Sequence, residues 1–391
     1  MNYKEKKHFE IIIVGAGLSG IMLIWEILNR KELRDKKILL LDKYQKEQAP
    51  RTWCFWEKGP SSFDDIITKQ WRIAELFAGS SHLTTDMYPY SYQMLSSERF
   101  FNRAFSIINR YSNITFKQAA VEEVIDNESK VTVVTPDDVF SADMVFDSRL
   151  PQSTIDNYDG PLLYQQFAGR FVKSQKPVFN ATNIRLMDFR MMQDKKVAFC
   201  YLLPFSSTEA LLEYTIFTDQ IYPPTVLEKG VDDYVLEHFD DTTMVTTSKE
   251  YGVIPMGNFP SGEKNKRIIP IGTAGGCSKA SSGYTFSFVR LHTLHIIDSL
   301  IANELPTSYS FFIPRRFSFY DSVLLRVLKK HPEKGQQIFF QLFKKNSIEV
   351  VIRFLHNRST IREEISIFLN LPVLPFLKAA FAEFFFRCKL F

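Results

Sequence analysis

The chain has 391 residues, 45 % of them hydrophobic and 24 % charged, which is the composition of an ordinary globular protein with room for two or three domains. A net charge of only +4 argues against a dedicated nucleic-acid binder. The four cysteines, Cys54, Cys200, Cys277 and Cys388, stand far apart, in no metal-ligand spacing and no disulfide framework, so a reducing compartment is expected.

The N-terminus, MNYKEKKHFEIIIVGAG, runs from charged residues straight into a strand, with no apolar segment followed by a small-residue cleavage site. FEIIIV (9–14) is apolar but for Glu10 and rich in β-branched residues, as expected of a parallel strand buried on both faces. GAGLSG follows, then a helical stretch from about Leu18 to Arg30, then ILLLD (38–42), a second buried strand ending in an acid. This is a βαβ unit. Residues 52–118 read as mixed, with an amphipathic helix over SSERFFNRAFSIINRY. VTVVT (131–135) and DVFSADMVF (138–146) read as a strand and its continuation.

Between 160 and 250 the strands lengthen. VAFCYLLPF and EALLEYTIFT flank the turn-prone SST and predict a β-hairpin. RIIPIGTAGG (267–276) is a further buried strand entering a glycine turn, with a helix expected from about Tyr284 to Asn303 and Ser281 or Ser282 as its cap. Everything after Pro306 reads as helices. That region carries 14 Lys/Arg against 6 Asp/Glu and 15 of the 36 phenylalanines, leaving the first 305 residues at −4. Basic and aromatic together point to an anionic membrane surface; the alternative is a helical subdomain with a solvated basic face. No stretch reaches the uninterrupted length of a membrane-spanning helix, because LNLPVLPFLKAAFAEFFF is broken by Pro372, Pro375, Lys378 and Glu383.

GAGLSG sets Gly15, Gly17 and Gly20 in G-x-G-x-x-G register between a buried strand and a helix, and Asp42 closes the next strand. That context is what a dinucleotide site requires. Gly15 permits the tight turn, Gly17 the approach of a pyrophosphate, Gly20 the packing of helix on strand. The helix N-terminus offers free N–H groups to the phosphates. Asp42 would bond both ribose hydroxyls and disfavour a 2′-phosphate, so FAD or NAD fits better than NADP. The second turn, IGTAGG, with SSGYTFSF beginning the next helix, favours FAD: in two-dinucleotide flavoproteins such a helix points its positive end at the flavin. Gly272, Thr273, Gly275, Gly283 and Tyr284 are the cofactor-binding candidates there, although many flavoproteins carry an acid where Thr273 stands. Arg149 in FDSR either binds cofactor phosphate or pairs with Asp147.

Taken together and in this order, GAGLSG, RTWCFW (51–56), FDSR (146–149), YQQFAG (164–169), MDFRMMQ (187–193), YLLPFSSTEALLEYT (201–215), YGVIPM (251–256) and GTAGGCSKASSGYTF (272–286) resemble the FAD-type lycopene cyclases of carotenoid synthesis, from about residue 9 to 300. The resemblance implies closure of each end of a linear polyene into a β-ionone ring without net redox change. It also implies reduced FAD as cofactor, with NADPH or NADH as a visiting electron donor, since no second G-x-G-x-x-G is present. A family acid matching Glu213 is held to be essential.

Glu213 sits among leucines, a tyrosine, an isoleucine and a phenylalanine. Ring closure begins with proton addition to a weakly basic alkene, so the acid must be protonated and shielded. A free glutamate, with a pKa of about 4.3, is ionised at neutral pH, whereas burial holds it neutral. Strand alternation puts Glu213 on one face with Leu211, Thr215 and Phe217. The bland alternative is a glutamate facing solvent. Asp188 is the competing acid, or a strand-end turn residue. Trp53, Phe55, Trp56 and Tyr214 are the candidates for lining the substrate site, where aromatic rings would stabilise a cation.

The expected fold is α/β: a Rossmann-like two-dinucleotide-binding FAD domain from residues 8–75, 90–160 and 251–303, an antiparallel-sheet substrate domain from 76–89 and 161–250, and a helical, aromatic-rich region over 304–391 that docks on membrane. The expected localisation is cytoplasmic, on the inner membrane surface, with a carotenoid substrate and no nucleic acid. A flavin monooxygenase, a prenyl-chain reductase, and a non-catalytic carrier of lipidated partners are the other functions compatible with such a fold.

Overall fold

The computed structural model describes residues 7–44, 51–239, 244–262 and 266–388. The apolar run near the N-terminus forms the strand Lys7–Val14, which pairs in parallel with Ile38–Asp42 on one side and Val139–Asp147 on the other. The sheet continues outward to Ile114–Gln118 at one edge and through Val131–Val134 to Glu123–Asp126 at the other, and Ile268–Pro270 joins the C-terminal end of Val139–Asp147. Both faces of its centre are covered, which is why its sequence does not alternate. On one face lie the helices Leu18–Leu28 and Phe286–Ile301, with Ile11, Ile13, Ile21, Ile24 and Phe286 in one core. On the other face Phe9, Ile12, Val14, Leu39 and Leu41 meet Val131, Val133 and Phe140.

The second sheet has seven strands in the order Val245–Met256, Leu163–Lys173, Glu209–Thr218, Val197–Pro204, Asn183–Asp188, Ile73–Ala78, Ser81–Asp86. Every pairing is antiparallel except Asn183–Asp188 with Ile73–Ala78. The hairpin expected around SST is present, closed by the Phe205 amide donating to the Glu209 carbonyl (2.7 Å). Alternation sorts the strand Glu209–Thr218 cleanly. Leu212, Tyr214 and Ile216 pack under the helix Pro224–His238, whose Leu227, Val231 and Tyr234 complete that core. Leu211 and Phe217 face the opposite way, into a core shared with the C-terminal helices.

A small three-stranded sheet, Thr52–Lys58 with Tyr90–Ser96 and Lys69–Trp71, lies in the stretch that reads as mixed. The helix Ser97–Ile108 begins on Ser96, whose hydroxyl accepts from the Arg99 amide. The C-terminal part is helical: Arg315–Lys330, Gly335–Lys345, Ile348–Leu355, Ile361–Leu369 and Val373–Cys388. A buried knot joins it to the late glycine turn: the Lys279 ammonium donates to Asp321 and to Asn357, both at 2.7 Å, and the Ser281 hydroxyl donates to Asp321 at 2.6 Å. The helix expected from about Tyr284 runs from Phe286 to Ile301, and no side chain caps it. Ser281 is engaged elsewhere, and the Ser282 hydroxyl has no partner among the described residues.

Candidate active site

The three sheets converge on a cavity of about 420 Å³, within the range of small-molecule sites. The parallel sheet contributes the first wall. Gly15 turns the chain out of the strand Lys7–Val14 at φ +102, a conformation that a side chain would strain. Gly20 keeps the helix close behind it, since a Cβ there would overlap the Gly15 carbonyl oxygen. Gly17, Leu18 and Ser19 line the cavity at the start of the helix, which has no side-chain cap. Its first N–H groups are thus available to an anion. Nothing lies within 4 Å of the place where a Gly17 Cβ would be. Asp42 is tied to this turn: its carboxylate accepts from the Ala16 amide (2.6 Å) and the Tyr44 amide (2.9 Å).

The late glycine turn supplies the second wall. Gly272, Thr273, Gly283, Tyr284 and Thr285 line the cavity, at the uncapped N-terminus of Phe286–Ile301. Gly275 lies against the Pro270 carbonyl, where no side chain fits. Hydroxyls run in a chain from Thr273 to Ser278 (2.9 Å) to Thr285 (3.0 Å). Arg149 does not line the cavity. It grips Asp147 through both carboxylate oxygens at 2.7–3.1 Å and donates to the Val121 carbonyl, so the pairing alternative is the arrangement present.

The third wall is the antiparallel sheet, and it carries the acid. Tyr201, Glu213, Gly169 and Glu250 stand opposite one another on four neighbouring strands, forming one row across the sheet. Tyr201, Glu213 and Glu250 line the cavity. Because Gly169 has no side chain, the Glu250 side chain lies over it. A Cβ at 169 would stand 2.7 Å from Glu250 Cγ and 3.1 Å from its Oε1. Glu250 thereby leans across the intervening strand toward Glu213. It is 3 % exposed, and neither of its carboxyl oxygens has a hydrogen-bond partner among the described residues. Glu213 opens only partly, onto the cavity, and its Oε1 accepts from the Thr215 hydroxyl at 3.1 Å.

Both glutamates lie well above the ordinary carboxylate range. Burial raises Glu213 most, the neighbouring Glu250 adds to it, and the Thr215 hydrogen bond offsets a part. Burial raises Glu250 as well, against a lowering influence of nearby Thr52, whose groups fall short of hydrogen-bond geometry. No lysine or arginine pairs with either acid among the described residues, and Arg51 is the cation on the cavity wall. The phenols of Tyr92, Tyr201 and Tyr284 are pushed up by burial and stay protonated.

The other candidates separate by position. Trp53 lines the cavity. Phe55 is one layer behind, stacked on Phe286 with ring centroids 4.2 Å apart. Trp56 is also behind, against Tyr284 (4.9 Å) and Tyr92 (5.2 Å), which do reach the cavity. Tyr214 is on the opposite face of its strand from Glu213, pressed on Gly230 of the helix Pro224–His238; adjacency in sequence to Glu213 is what excludes it from the cavity. Asp188 is fully buried and does not line the cavity. Burial alone would raise its pKa, but Arg190 (2.6 and 2.9 Å) and the Tyr234 hydroxyl (2.8 Å) outweigh that and lower it. An acid held ionised in this way is a poor proton donor.

Sequence reasoning did not find Glu250, Gly169, Tyr92, Tyr201 or Gln165. Gly169 and Tyr201 lie inside motifs already singled out, and Glu250 directly precedes YGVIPM. The missing signal was strand register, which places Glu250 two strands from Glu213 although 37 positions separate them.

Comparisons with known proteins agree with this architecture. The halogenase PltM superposes with a TM-score of 0.60 at 9 % identity, covering 98 % of this chain and 93 % of that one. A geranylgeranyl bacteriochlorophyll reductase-like protein from Thermoplasma acidophilum superposes with a TM-score of 0.58 at 10 % identity, covering 96 % of each. At these identities the likeness is one of fold. In sequence, a lycopene beta-cyclase from Pantoea ananas is 23 % identical over 393 aligned positions, 95 % of this chain and 97 % of that protein. The pattern of the family described as Lycopene cyclase protein matches residues 10–381, nearly the whole length, and the chain belongs to the lycopene cyclase family.

Proposed function

We propose that this protein is a lycopene β-cyclase that works with reduced FAD: it protonates a terminal alkene of lycopene, lets the neighbouring alkene close the ring, and removes a proton to leave a β-ionone ring. The observation that carries this reading is Glu213, an acid with no ion-pair partner among the described residues, its pKa raised by burial, on the wall of a cavity that also receives two uncapped helix N-termini. The cavity also contains polar atoms with no partner among the described residues, Gln165 Oε1 and Ser282 Oγ, and buried orphans of this kind favour a bound ligand. These residues fit FAD. The Gly15–Gly17 turn and the start of Leu18–Leu28 would hold the pyrophosphate, Asp42 the ribose, and the Gly272–Thr273 turn with the start of Phe286–Ile301 the flavin ring. Bound in reduced form, with electrons from NADPH or NADH, the cofactor would supply negative charge close to the carbocation.

The chain's own residues account for the rest. Thr215 donates to Glu213 Oε1, which leaves Oε2 to carry the acidic proton. Trp53, Tyr92, Tyr201 and Tyr284 line the cavity, and each ring face would lower the energy of a desolvated cation by about 2 kcal/mol. Their bulk also keeps water from capturing the cation. The substrate is insoluble in water, so the enzyme must meet it at a membrane. No helix among the described residues is long and apolar enough to cross one. The exposed apolar side of Val373–Cys388 would instead rest on its surface, with Leu374, Leu377, Phe381 and Phe384 facing out.

Expression in cells that accumulate lycopene tests the assignment, with β-ring products expected by chromatography. Unchanged lycopene beside soluble, flavin-loaded protein would defeat it. Glu213→Gln should lower turnover by about 10²–10⁴-fold while the flavin absorbance of the purified protein is retained.

A further inference from the structure

Ring closure without net redox change takes one proton in and gives one out, so a donor needs an acceptor. We propose that Glu250 is that acceptor: lying over Gly169 beside Glu213, it holds the vacant end of a two-carboxyl site that carries one proton between its members. The proposal rests on the cyclase reading above and names a catalytic residue within it.

Three independent observations support it. The row Glu213–Gly169–Glu250 fixes the two acids on one face of the sheet, two strands apart. The bare glycine removes the side chain that would separate them, and Glu250 Cγ and Oε1 occupy the space that a Cβ at 169 would claim. Glu250 is also more than nine-tenths buried, lines the cavity, and has both carboxyl oxygens free of hydrogen-bond partners among the described residues. A structural glutamate at such depth would be bonded or ion-paired. Among the described residues, the other buried acids are paired: Asp188, Glu364 and Glu383 each with an arginine, Asp321 with Lys279 and Glu26 with Arg30.

The proton balance closes. The resting site holds Glu213 as the acid and Glu250 as the carboxylate. The O–H bond of Glu213 breaks as a C–H bond forms on the terminal alkene. The second alkene donates its electron pair to the cationic carbon, closing the ring. A C–H bond beside the new cation then breaks, its electrons form the ring double bond, and the proton goes to Glu250. Transfer from Glu250 to Glu213 across the Gly169 gap restores the start. No oxidant or reductant is consumed.

Other titratable groups do not compete in the working pH range. Cys54 from the strand Thr52–Lys58, Tyr92 from Tyr90–Ser96, Tyr201 from the neighbouring strand and Tyr284 from the glycine turn are all pushed upward by burial and remain neutral. Arg51 on the cavity wall forms no ion pair with either glutamate among the described residues. Lys249, next to Glu250 in the chain, is paired with Glu228.

The test is the pH profile of flavin-reduced enzyme on lycopene. A site that works only when singly protonated gives a bell. Wild type should show both limbs. In Glu250→Gln the acidic limb should vanish and turnover should fall about 100-fold, with flavin content unchanged. A Glu250→Gln enzyme with wild-type turnover and both limbs overturns the proposal. Should that variant fail to load flavin, Gly169→Ala, whose methyl group would displace Glu250, replaces it. A slowed enzyme with a moved acidic limb then supports the pair, and an unmoved profile overturns it. Wild type with flavin but no cyclised product would instead sink the underlying cyclase reading, leaving the pair unused.

Discussion

A buried carboxyl group that is neither ion-paired nor fully bonded is a thermodynamic burden whose size depends on pH. Glu213 and Glu250 both titrate above the ordinary carboxylate value of 4.5. Between that value and their folded values the folded chain binds more protons than the unfolded chain. Stability therefore falls as pH rises through the window, and the full contribution is present only below it. Replacing either acid by its amide removes this loss. Thermal melts of flavin-loaded Glu213→Gln should show a gain of about 1 kcal/mol, or roughly 1 °C in Tm, at pH 8, shrinking to nothing near pH 4. A variant less stable than wild type at both ends would contradict the raised values. The trade is a familiar one, in which stability is given up where activity needs a strained group. Of these two acids, Glu213 was legible because its apolar neighbours in ALLEYTIFT make a lone carboxylate conspicuous. Glu250 was not. It follows five exposed residues on an edge strand, where a glutamate looks like an ordinary solvent-facing one.

The period-two geometry of a strand decides which neighbours of Glu213 share its cavity. Tyr214 points to the far face, where its ring stands so close to Gly230 that no side chain fits between them. Two substitutions separate the faces. Tyr214→Ala should cost about 3 kcal/mol by opening a cavity under the helix Pro224–His238, and Gly230→Ala about 1–3 kcal/mol by overpacking. Both would be read from denaturant melts. Cyclisation per folded, flavin-loaded molecule should stay within about twofold of wild type for each. A loss of turnover of about 100-fold in Tyr214→Ala would place that residue in the chemistry after all. Elements with one dominant pattern were readable: the buried parallel strands, the hairpin and the amphipathic helix Ser97–Ile108. The stretch 52–96 was not, because its five strands are three to seven residues long and change sheets between Trp71 and Ile73. Windows that short cannot establish a period. The helix Phe286–Ile301 begins close to where the sequence places it, but without a serine cap: Ser281, a good cap by residue type, is recruited to Asp321 by the distant helix Arg315–Lys330.

On the scale of the molecule, the C-terminal helices back the sheet that carries the acid: Leu211 and Phe217 share one buried core with Val323, Leu325, Phe339 and Ile352. Among the described residues, none of those lining the cavity comes after Val289, and the buried polar contacts of Lys279 with Asp321 and Asn357 add to that apolar junction. The helix Val373–Cys388 is anchored by Ala379 and by Glu383, which pairs with Arg326 and Arg387. That buried ion pair explains how an acid sits inside FLKAAFAEFFF without reaching solvent. The charge surplus and phenylalanine content announced a distinctive tail, but which face stays uncovered depends on packing that composition does not encode. The uncovered face presents Leu374 at 72 % exposure, Phe381 at 67 % and Leu377 at 60 %. Each such side chain moved from water into an apolar layer contributes about 1.5–3 kcal/mol, so three together would set membrane affinity without support from the cavity. Leu374→Ser, Leu377→Ser and Phe381→Ser combined should abolish flotation with anionic liposomes. The variant should keep close to the wild-type Tm, since these side chains are largely exposed and the ring of Phe381 meets only the half-exposed Phe385 among the ring contacts of the described residues, and its turnover on detergent-dispersed lycopene should be unaltered while turnover on liposome-embedded lycopene falls at least tenfold. Undiminished flotation would move the membrane contact elsewhere on the molecule. Equal losses with both substrate preparations would mean that this face serves the cavity itself.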